Sequence, residues 1–532
     1  MSISVRAFGS ASQAVEATID SLLADKVASR IAAKDFTLWG KEAEAESSIR
    51  LGWVTSATDS QPLVSEILEL RDAFRAKGIT RFVLCGMGGS SLAPEVITNK
   101  YGVELVVLDS TSPDQVSSVV AVDIEKTAII VSSKSGSTVE TDSQKRIFEQ
   151  AFTAAGIEKT ERIVIVTDPG SPMEAAAKAD GYKVFNADPT VGGRYSAITA
   201  FGLVPSGLAG VDIQELLNEG NDVLAALSAD DNTNPGLILG AALARSSNGK
   251  ELKDKIGLIA DQASLPGFGD WIEQLVAEST GKSSLGILPV VLQASSYETF
   301  ADLNDMLLVK ISAAEHAVLD DGVSIVAPLG AQFLLWEFAT AVASRLIGIN
   351  PFDQPDVESA KIAARGMLEQ RSAATQSEYA FDSIEVSALQ LNLDGVSGIP
   401  TALVKLLSEL SSDGYISVHA YMDRTAPVSA EALRDALSSV SDRPTTFGWA
   451  PRFLHSTGQY HKGGPRQGVF LQLVARTNQD VQVPGRDFTF GELIASQAAG
   501  DAKVLAELGR PVLTLTLNNP VEDFNTILRA IG

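Results

Sequence analysis

Short apolar runs alternate with helical segments in the first half of the chain, and this alternation constrains the fold most strongly. Residues 139–152 and 172–179 have helical spacing. Between residues 62 and 230 the Val/Ile/Leu runs lie at 81–85, 103–108, 128–131, 162–166 and 183–185. Continuous apolar strands that alternate with helices are typical of a parallel sheet covered on both faces. The pattern therefore predicts an α/β fold.

Two polar segments follow predicted strands of this sheet: GMGGSS at 86–91 and SSKSGST at 132–138. Ligands of parallel sheets bind beyond the carboxyl ends of the strands. In the second segment, hydroxyl residues surround Lys134 just before a predicted helix, which suits a phosphate group. The alternative for this segment is a solvated loop with an N-cap serine, and the alternative for the GMGGSS segment is a purely structural glycine turn. The first segment lacks the glycine spacing of dinucleotide-binding and P-loop motifs.

The net charge of the chain limits the classes of ligand that it can bind. The 532-residue chain carries 42 Lys and Arg against 66 Asp and Glu, a formal net charge of −24. Such a surface repels nucleic acid and anionic lipid, so affinity for phosphate has to be built locally. We therefore expect a sugar phosphate or nucleotide as ligand, and neither a nucleic acid nor a membrane as partner.

Arg194 and Glu278 also stand out by their surroundings. Arg194 follows two glycines beside an apolar segment, where a guanidinium is costly unless it faces an anion. Glu278 lies near the end of a predicted helix at 270–278, where a carboxylate opposes the helix dipole. A surface arginine and a surface glutamate remain the alternatives.

The rest of the chain divides into further α/β units. Strands are predicted at 255–260 and 287–292, with a helix at 333–346, and again at 415–421 and 469–474. Residues 455–468 read as an irregular glycine-rich segment and the N-terminus as an amphipathic helix. We place an N-terminal helical segment at 1–60, a first α/β domain with the phosphate site at 61–240, a second at 241–378 and a C-terminal α/β domain at 379–532.

Cysteine and histidine usage predicts neither a disulfide nor a metal site. Cys85 is the one cysteine, which suits a reducing cytoplasm. The N-terminus lacks the basic start and apolar core of a secretion signal, and no apolar run reaches the roughly 18 residues that span a membrane. The four histidines (His316, His419, His455 and His461) do not form a metal-ligand set.

Five motifs in order resemble the glucose-6-phosphate isomerase family. They are GMGGSSLAPEV (86–96), SSKSGSTVET (132–141), VGGRYSAITAFGL (191–203), ESTGK (278–282) and NPFDQPDVESAK (350–361). The chain is most similar to the isomerase half of fused transaldolase/phosphoglucose isomerase proteins, because the segment LHSTGQYHKGGPRQG (454–468) resembles that subfamily. The resemblance implies two parallel-sheet α/β domains of the sugar-isomerase (SIS) type, followed here by the C-terminal α/β extension.

The resemblance also implies an activity and its residues. It implies interconversion of glucose 6-phosphate and fructose 6-phosphate through an enediol, in glycolysis and gluconeogenesis, by a cytoplasmic homodimer without cofactor or metal. Glu278 would be the base, Arg194 would stabilise the enediolate, and Lys361 would assist ring opening. The sugar phosphate would be bound by Gly89, Ser90, Ser133, Lys134, Ser135, Thr138 and Gln354.

One departure concerns ring opening. Family members carry a ring-opening histidine soon after the ESNGK-type motif, in a motif such as LHSMGQ, whereas the segment after Lys282 has none. A similar LHSTGQ lies at 454–459. We hypothesise that the C-terminal unit folds back and brings His455 into the site. The alternative is that Lys361 acts alone and His455 is structural.

Two other functions remain open at this stage. The resemblance does not separate the C2 epimers, so an isomerase that also acts on mannose 6-phosphate is the second possibility. A non-catalytic SIS protein that binds sugar phosphates is the third. It would need no general base, and the pair of Glu278 and Lys361 argues against it.

Overall fold

The computed structural model describes residues 3–244, 253–370, 377–477 and 479–532; the side chains of residues 358–361, 369 and 370 lie outside this description. The strands are β1 (Ser4–Phe8), β2 (Arg81–Gly86), β3 (Val106–Leu108), β4 (Thr127–Ser132), β5 (Ile163–Thr167), β6 (Lys183–Asn186), β7 (Lys255–Ala260), β8 (Leu288–Val291), β9 (Met306–Ser312), β10 (Gly322–Val326), β11 (Tyr379–Phe381), β12 (Ile384–Leu389), β13 (Tyr415–Tyr421), β14 (Thr445–Trp449), β15 (Gly468–Ala475) and β16 (Val512–Leu517).

Helices connect and cover these strands. They are α1 (Ser10–Ala24), α2 (Val27–Ala32), α3 (Glu44–Ser47), α4 (Ser56–Asp59), α5 (Leu63–Ala76), α6 (Leu92–Tyr101), α7 (Pro113–Ala121), α8 (Val139–Ala154), α9 (Pro172–Ala179), α10 (Ala200–Ala209), α11 (Ile213–Asn221), α12 (Leu224–Ser228), α13 (Pro235–Ala244), α14 (Phe268–Thr280), α15 (Leu329–Ile347), α16 (Pro355–Gln370), α17 (Ile399–Leu407), α18 (Ala430–Ser441), α19 (Gly458–Gly463), α20 (Phe490–Glu507) and α21 (Pro520–Ile531). Among the described residues, no helix is both long and apolar enough to cross a membrane.

The strands form three sheets. The first sheet has the order β3-β2-β4-β5-β6 and is parallel throughout. The second has the order β1-β10-β9-β7-β8, with only β1 antiparallel. The third, β11-β12-β16-β15-β13-β14, is parallel from β16 to β14. The prediction of parallel-sheet α/β units followed by a C-terminal α/β extension is confirmed.

Strand order in the first sheet positions the polar loops that the sequence singled out. The chain passes from β2 outward to β3 and then returns to β4 on the other side of β2. Such a reversal opens a crevice at the carboxyl ends of the two central strands. The GMGGSS turn follows β2 and the SSKSGST loop follows β4, so both lie at this crevice.

Two local expectations are wrong. Residues Ser4–Phe8 are not helical: they form β1, which pairs antiparallel with β10, and the helix begins only at Ser10. This pairing joins residues more than 300 positions apart, and local spacing does not report it. The segment after His455 is not irregular either, because Gly458–Gly463 forms the short helix α19.

Hydrophobic clusters hold the sheets together. The largest lies between the first two sheets and contains the buried Trp53, Trp271 and Trp336. The third sheet has a core of its own. A bridging cluster packs Ala277 of α14 with Tyr460 of α19. Helix α14 thereby packs between the second and third sheets.

Glu337 is an ionisable group inside the main core. Its side chain on α15 is fully buried, and neither carboxyl oxygen has a hydrogen-bond partner among the described residues. Burial raises the pKa of Glu337 well above its ordinary value. The folded chain therefore keeps a proton here that the unfolded chain releases above about pH 4.5.

A Glu337→Gln substitution should therefore stabilise the protein more as the pH rises. Between the unfolded and the folded pKa, the parent loses about 1.4 kcal/mol of stability per pH unit from this group, and glutamine does not. Denaturant unfolding of both proteins at pH 5 and pH 8 measures the difference. An advantage of glutamine that is equal at both pH values would contradict a raised pKa of Glu337.

Candidate active site

A cavity of about 350 Å³ lies at the carboxyl end of the first sheet. The first two sheets and the C-terminal unit all contribute to its wall. The sequence-predicted residues that line it are Gly89, Ser90, Ser133, Lys134, Ser135, Thr138, Arg194, Glu278, Gln354 and His455. Lys361 belongs to α16, but its side chain lies outside the described residues.

Hydroxyl groups organise the loop between β4 and α8. The Ser133 and Thr138 hydroxyls are 3.0 Å apart, and the Gly136 N–H donates to Ser133 Oγ at 3.1 Å. Gly136 has φ +68°, and a Cβ there would lie 2.8 Å from Cβ of Met173, so glycine permits the tight turn against α9. The loop thus presents hydroxyl and N–H donors at the N-terminus of a 16-residue helix.

Lys134 is paired rather than free. Its Nζ lies 2.6 Å from Oδ2 of Asp168, which follows β5. Burial lowers the pKa of Lys134 and raises the pKa of Asp168, against the opposing effect of their ion pair. Arg50 lines the same cavity and is itself bonded to Glu46 at 2.8 Å. The loop therefore has two cations nearby, both with carboxylate partners.

The GMGGSS turn is a point of close approach between three segments. A Cβ on Gly89 would lie 2.1 Å from the carbonyl oxygen of Gly193. A Cβ on Gly88, where φ is +54°, would lie 2.6 Å from the carbonyl oxygen of His455. These glycines are required because side chains here would push the Arg194 and His455 segments out of the site.

Arg194 is buried, with 3% of its surface exposed, and it connects the two halves of the site. Its Nε is 3.6 Å from Oε2 of Glu278, and its Nη1 donates to the Glu278 carbonyl at 2.6 Å. The guanidinium also donates to the carbonyls of Pro351, Phe352 and Asp353 and to the Gln354 side chain. A fixed cation therefore stands beside the Glu278 carboxylate.

Gln274 lies one turn before Glu278 on α14 and orients its carboxylate. Its Nε2 donates to Oε2 of Glu278 at 3.1 Å and to the His455 carbonyl at 2.9 Å. Its own Oε1 is buried without a hydrogen-bond partner among the described residues. Gln274 thus connects Glu278 to the segment that carries His455.

Lys282 holds the loop before α16. Its Nζ donates to the carbonyls of Asn350 and Asp353, each at 2.6 Å, and to Oδ1 of Asp353 at 2.7 Å. Burial, assisted by the nearby Arg194 charge, lowers the pKa of Lys282 to about 8. Together Lys282 and Arg194 fix the loop from which Gln354 projects.

His455 comes from the C-terminal unit and lines the same cavity as Glu278. Its Nε2 is 2.9 Å from Oε1 of Glu140, in the first turn of α8. Glu140 also accepts from Nε2 of Gln497 at 2.7 Å. The adjacent Arg452 is bonded to Asp109 and Glu95 of the first unit. The C-terminal unit therefore folds back onto the cavity.

Five residues of this site were not predicted from the sequence: Arg50, Glu140, Asp168, Gln274 and Lys282. Four of them carried a usable signal, since Asp168 follows a predicted strand, Gln274 is one helical turn from Glu278, and the other two lie inside the motifs at 132–141 and 278–282. Arg50 lies outside every motif. Among the described residues, no cluster of three or more His, Cys, Asp or Glu side chains could hold a metal ion.

Comparison with known proteins shows which family part of this chain resembles. Residues 71–291 match the family model described as phosphoglucose isomerase. The matched region contains the loop after β4, Arg194 and Glu278, and it ends before Gln354, Lys361 and His455.

Curated relatives agree with the family match. A probable glucose-6-phosphate isomerase from Methanococcus maripaludis is 25% identical over 363 residues, which is 57% of this chain and 82% of the relative. A glucose-6-phosphate isomerase from a Cyanothece species is 28% identical over 349 residues, or 54% of this chain and 66% of the relative.

Solved structures share the fold. A hypothetical protein from Thermus thermophilus aligns with a TM-score of 0.58 and 23% identity, over 69% of this chain and all of its own. A glucose-6-phosphate isomerase from Chlamydia trachomatis aligns with a TM-score of 0.51 and 21% identity, over 62% and 75% of the two chains. Residues 71–291 therefore match the phosphoglucose isomerase family, and the chain resembles glucose-6-phosphate isomerases.

Proposed function

We propose that this chain interconverts glucose 6-phosphate and fructose 6-phosphate through an enediol, with Glu278 as the base. The observation that carries the proposal is the position of the Glu278 carboxylate, 3.6 Å from the Arg194 guanidinium, in the cavity that the hydroxyl-rich loop also lines. The family match over residues 71–291 and the curated relatives support the same activity.

The phosphate would anchor the substrate at one end of the cavity. The hydroxyls of Ser133, Ser135 and Thr138 and the N-terminus of α8 supply donors, and Lys134 supplies a charge. Gly89 and Ser90 would line this end without filling it. Gln354, held by Arg194 and the Lys282 loop, would accept and donate hydrogen bonds to the sugar hydroxyls.

Proton transfer would then need only one base. Glu278 removes the proton from C2 of the open aldose, the electrons form a C1–C2 double bond, and O1 becomes the enediolate oxygen. Arg194 stabilises that negative charge as a fixed neighbouring cation. Once a proton has moved from O2 to O1, the protonated Glu278 returns its proton to C1, and the ketose forms with no net change in the enzyme.

Ring opening is assigned to His455, assisted by Lys361. A histidine whose Nε2 is bonded to Glu140 has its ring orientation fixed, and it can transfer a proton at the ring oxygen or O1. Glu140 would act as a positioning residue for His455.

Glu278→Gln should lower kcat for fructose 6-phosphate by at least about a thousandfold, because the amide is no base but is nearly isosteric. Turnover is read as glucose 6-phosphate through a coupled dehydrogenase. Binding of the substrate should persist, as measured by calorimetry. Glu69→Gln, an exposed glutamate on α5, is the control and should leave kcat unchanged.

The same assay distinguishes the proposed mechanism from its alternatives. Full activity of Glu278→Gln would reject Glu278 as the base, whereas substrate binding without turnover in the parent would favour a sugar-phosphate-binding protein. Mannose 6-phosphate in the same assay tests dual specificity.

His455→Asn should slow turnover of the ring-closed hexose phosphates by about 10²-fold, the usual contribution of a general acid–base group. The variant is compared with Lys361→Met under the same conditions. Unchanged turnover in His455→Asn together with a loss in Lys361→Met would assign ring opening to Lys361 and leave His455 as a structural residue.

Asp168→Asn should tighten binding of inorganic phosphate. Removal of one negative charge beside Lys134 makes the anion site more positive, by about 1 kcal/mol at short range, or about fivefold in Kd. Lys134→Met should weaken binding in the same calorimetric titration. Weaker binding in Asp168→Asn would instead mean that the carboxylate is needed to orient Lys134.

Assembly and location remain predictions. The homodimer and the cytoplasmic location rest on the resemblance and on the single cysteine. Light scattering on the purified chain tests the dimer directly.

A further inference from the structure

Gln459 lies at the start of α19, in the same segment as His455, and joins the C-terminal unit to two segments of the active site. Its side chain is fully buried. It does not line the active-site cavity, so a substrate in that cavity would not touch it. Any effect of Gln459 on the reaction therefore passes through the residues that it contacts.

Both ends of the Gln459 amide are hydrogen-bonded. Its Oε1 accepts from the N–H of Asp356 at 3.0 Å. Its Nε2 donates to Oδ2 of Asp356 at 2.7 Å and to the carbonyl of Gly281 at 2.9 Å. These contacts need an acceptor and a donor on one side chain, which an amide supplies. An ionised glutamate has no donor, and methionine offers no donor and only a weak acceptor.

The three hydrogen bonds join the end of one helix of the site to the start of another. Gly281 follows the last residue of α14, the helix that carries Glu278. Asp356 lies in the first turn of α16, beside Val357, which lines the active-site cavity. Gln459 therefore holds the turn after the carboxylate against a wall of the cavity.

The backbone of α19 lies directly against the same two segments. A Cβ on Gly281 would lie 2.4 Å from Cα of Tyr460, and a Cβ on Gly463 would lie 2.7 Å from the Gly281 carbonyl oxygen. The N–H of Ser284 donates to the Gly463 carbonyl at 2.8 Å. Side chains at these two glycines would push α19 away and separate Gln459 from its partners.

Buried charges fix α19 on the C-terminal unit. Nζ of Lys462 is paired with Oδ1 of Asp501 on α20 at 2.6 Å, and the two side chains are 1% and 0% exposed. Arg510 donates to the carbonyls of Lys462 at 3.1 Å and Gly464 at 2.8 Å. Separating a buried ion pair would leave uncompensated charge, so α19 is a fixed support for Gln459.

We propose that Gln459 is a positioning residue for the isomerase reaction, whose amide sets the position of the Glu278 turn relative to the start of α16. This role rests on the proposed function, because it concerns the base of that reaction. A displacement of about 1 Å in a reacting group costs about 10²-fold in rate. Phosphate affinity should change little, because the hydrogen bonds of Gln459 go to Gly281 and Asp356 and not to the loop at 132–138.

Gln459→Met keeps the length of the side chain and removes its donor. It should lower kcat for fructose 6-phosphate by about 10- to 100-fold. Its Kd for inorganic phosphate, measured by calorimetry, should stay within about twofold of the parent value. Gln13→Met, the same change at an exposed position of α1, is the control and should alter neither quantity. Unchanged kcat, or an equal loss of kcat and of phosphate affinity, would overturn the proposal.

Gln459→Glu gives a readout that lost stability alone does not give. The introduced carboxylate would face the Asp356 carboxylate and the Gly281 carbonyl without a donor, which raises its pKa. Once protonated, it can again donate to Asp356. The ratio of its kcat to that of the parent should therefore rise from pH 8 to pH 6, with the folded fraction measured by circular dichroism at each pH. A ratio that does not change with pH would contradict the role of the donor.

Amide hydrogen exchange of the substrate-free protein tests the contacts separately from the reaction. Gln459→Met should speed exchange in peptides that contain Asp356, whose N–H loses its acceptor, and in peptides that cover residues 281–284. Exchange across α8 should be unchanged. Parent-like exchange at both places would overturn the proposal even if turnover falls. A parent without isomerase activity would reject the proposed function, while the exchange rates would still decide whether Gln459 holds the two segments.

Discussion

The site depends on the contacts between the buried guanidinium of Arg194 and the polar groups around it. A charge that is 97% removed from solvent is costly unless polar groups surround it, and here backbone carbonyls, Gln354 and Glu278 do so. Those carbonyls belong to the end of α14 and to the loop before α16. Arg194 therefore holds Glu278 and the sugar-binding loop in fixed positions next to its own positive charge.

The C-terminal unit is part of this arrangement. His455 is bonded to Glu140 at 2.9 Å, and Gln459 donates to the Gly281 carbonyl at 2.9 Å and to Asp356 at 2.7 Å. Lys462 is paired with the buried Asp501 at 2.6 Å, which holds α19 onto α20. The bonds of His455 to Glu140 and of Gln459 to Gly281 connect residues outside the family match to residues inside it. The C-terminal unit thus forms a wall of the active-site cavity.

Local patterns in the sequence predicted the first sheet. They also predicted the placement of its polar loops, because the carboxyl ends of parallel strands lie at the same edge of a sheet. The co-location of Arg194, Glu278 and Gln354 came from the resemblance, and their spacing in the chain does not imply it. Asp168, Glu140 and Lys282 were missed because each acts through a partner that is distant in the chain. The strand at Ser4–Phe8 was missed for the same reason, since its pairing with β10 is purely tertiary. The role of Lys361 stays a prediction.

In the proposed mechanism, one carboxylate moves a proton between C2 and C1 through an enediol. Its most direct test is isomerisation of glucose 6-phosphate in deuterium oxide, followed by mass spectrometry of the fructose 6-phosphate. This mechanism predicts solvent deuterium at C1 of the product, since a proton held by Glu278 exchanges with water before it returns. Complete conversion over many turnovers without any deuterium in the product would indicate direct hydride transfer and would contradict the mechanism.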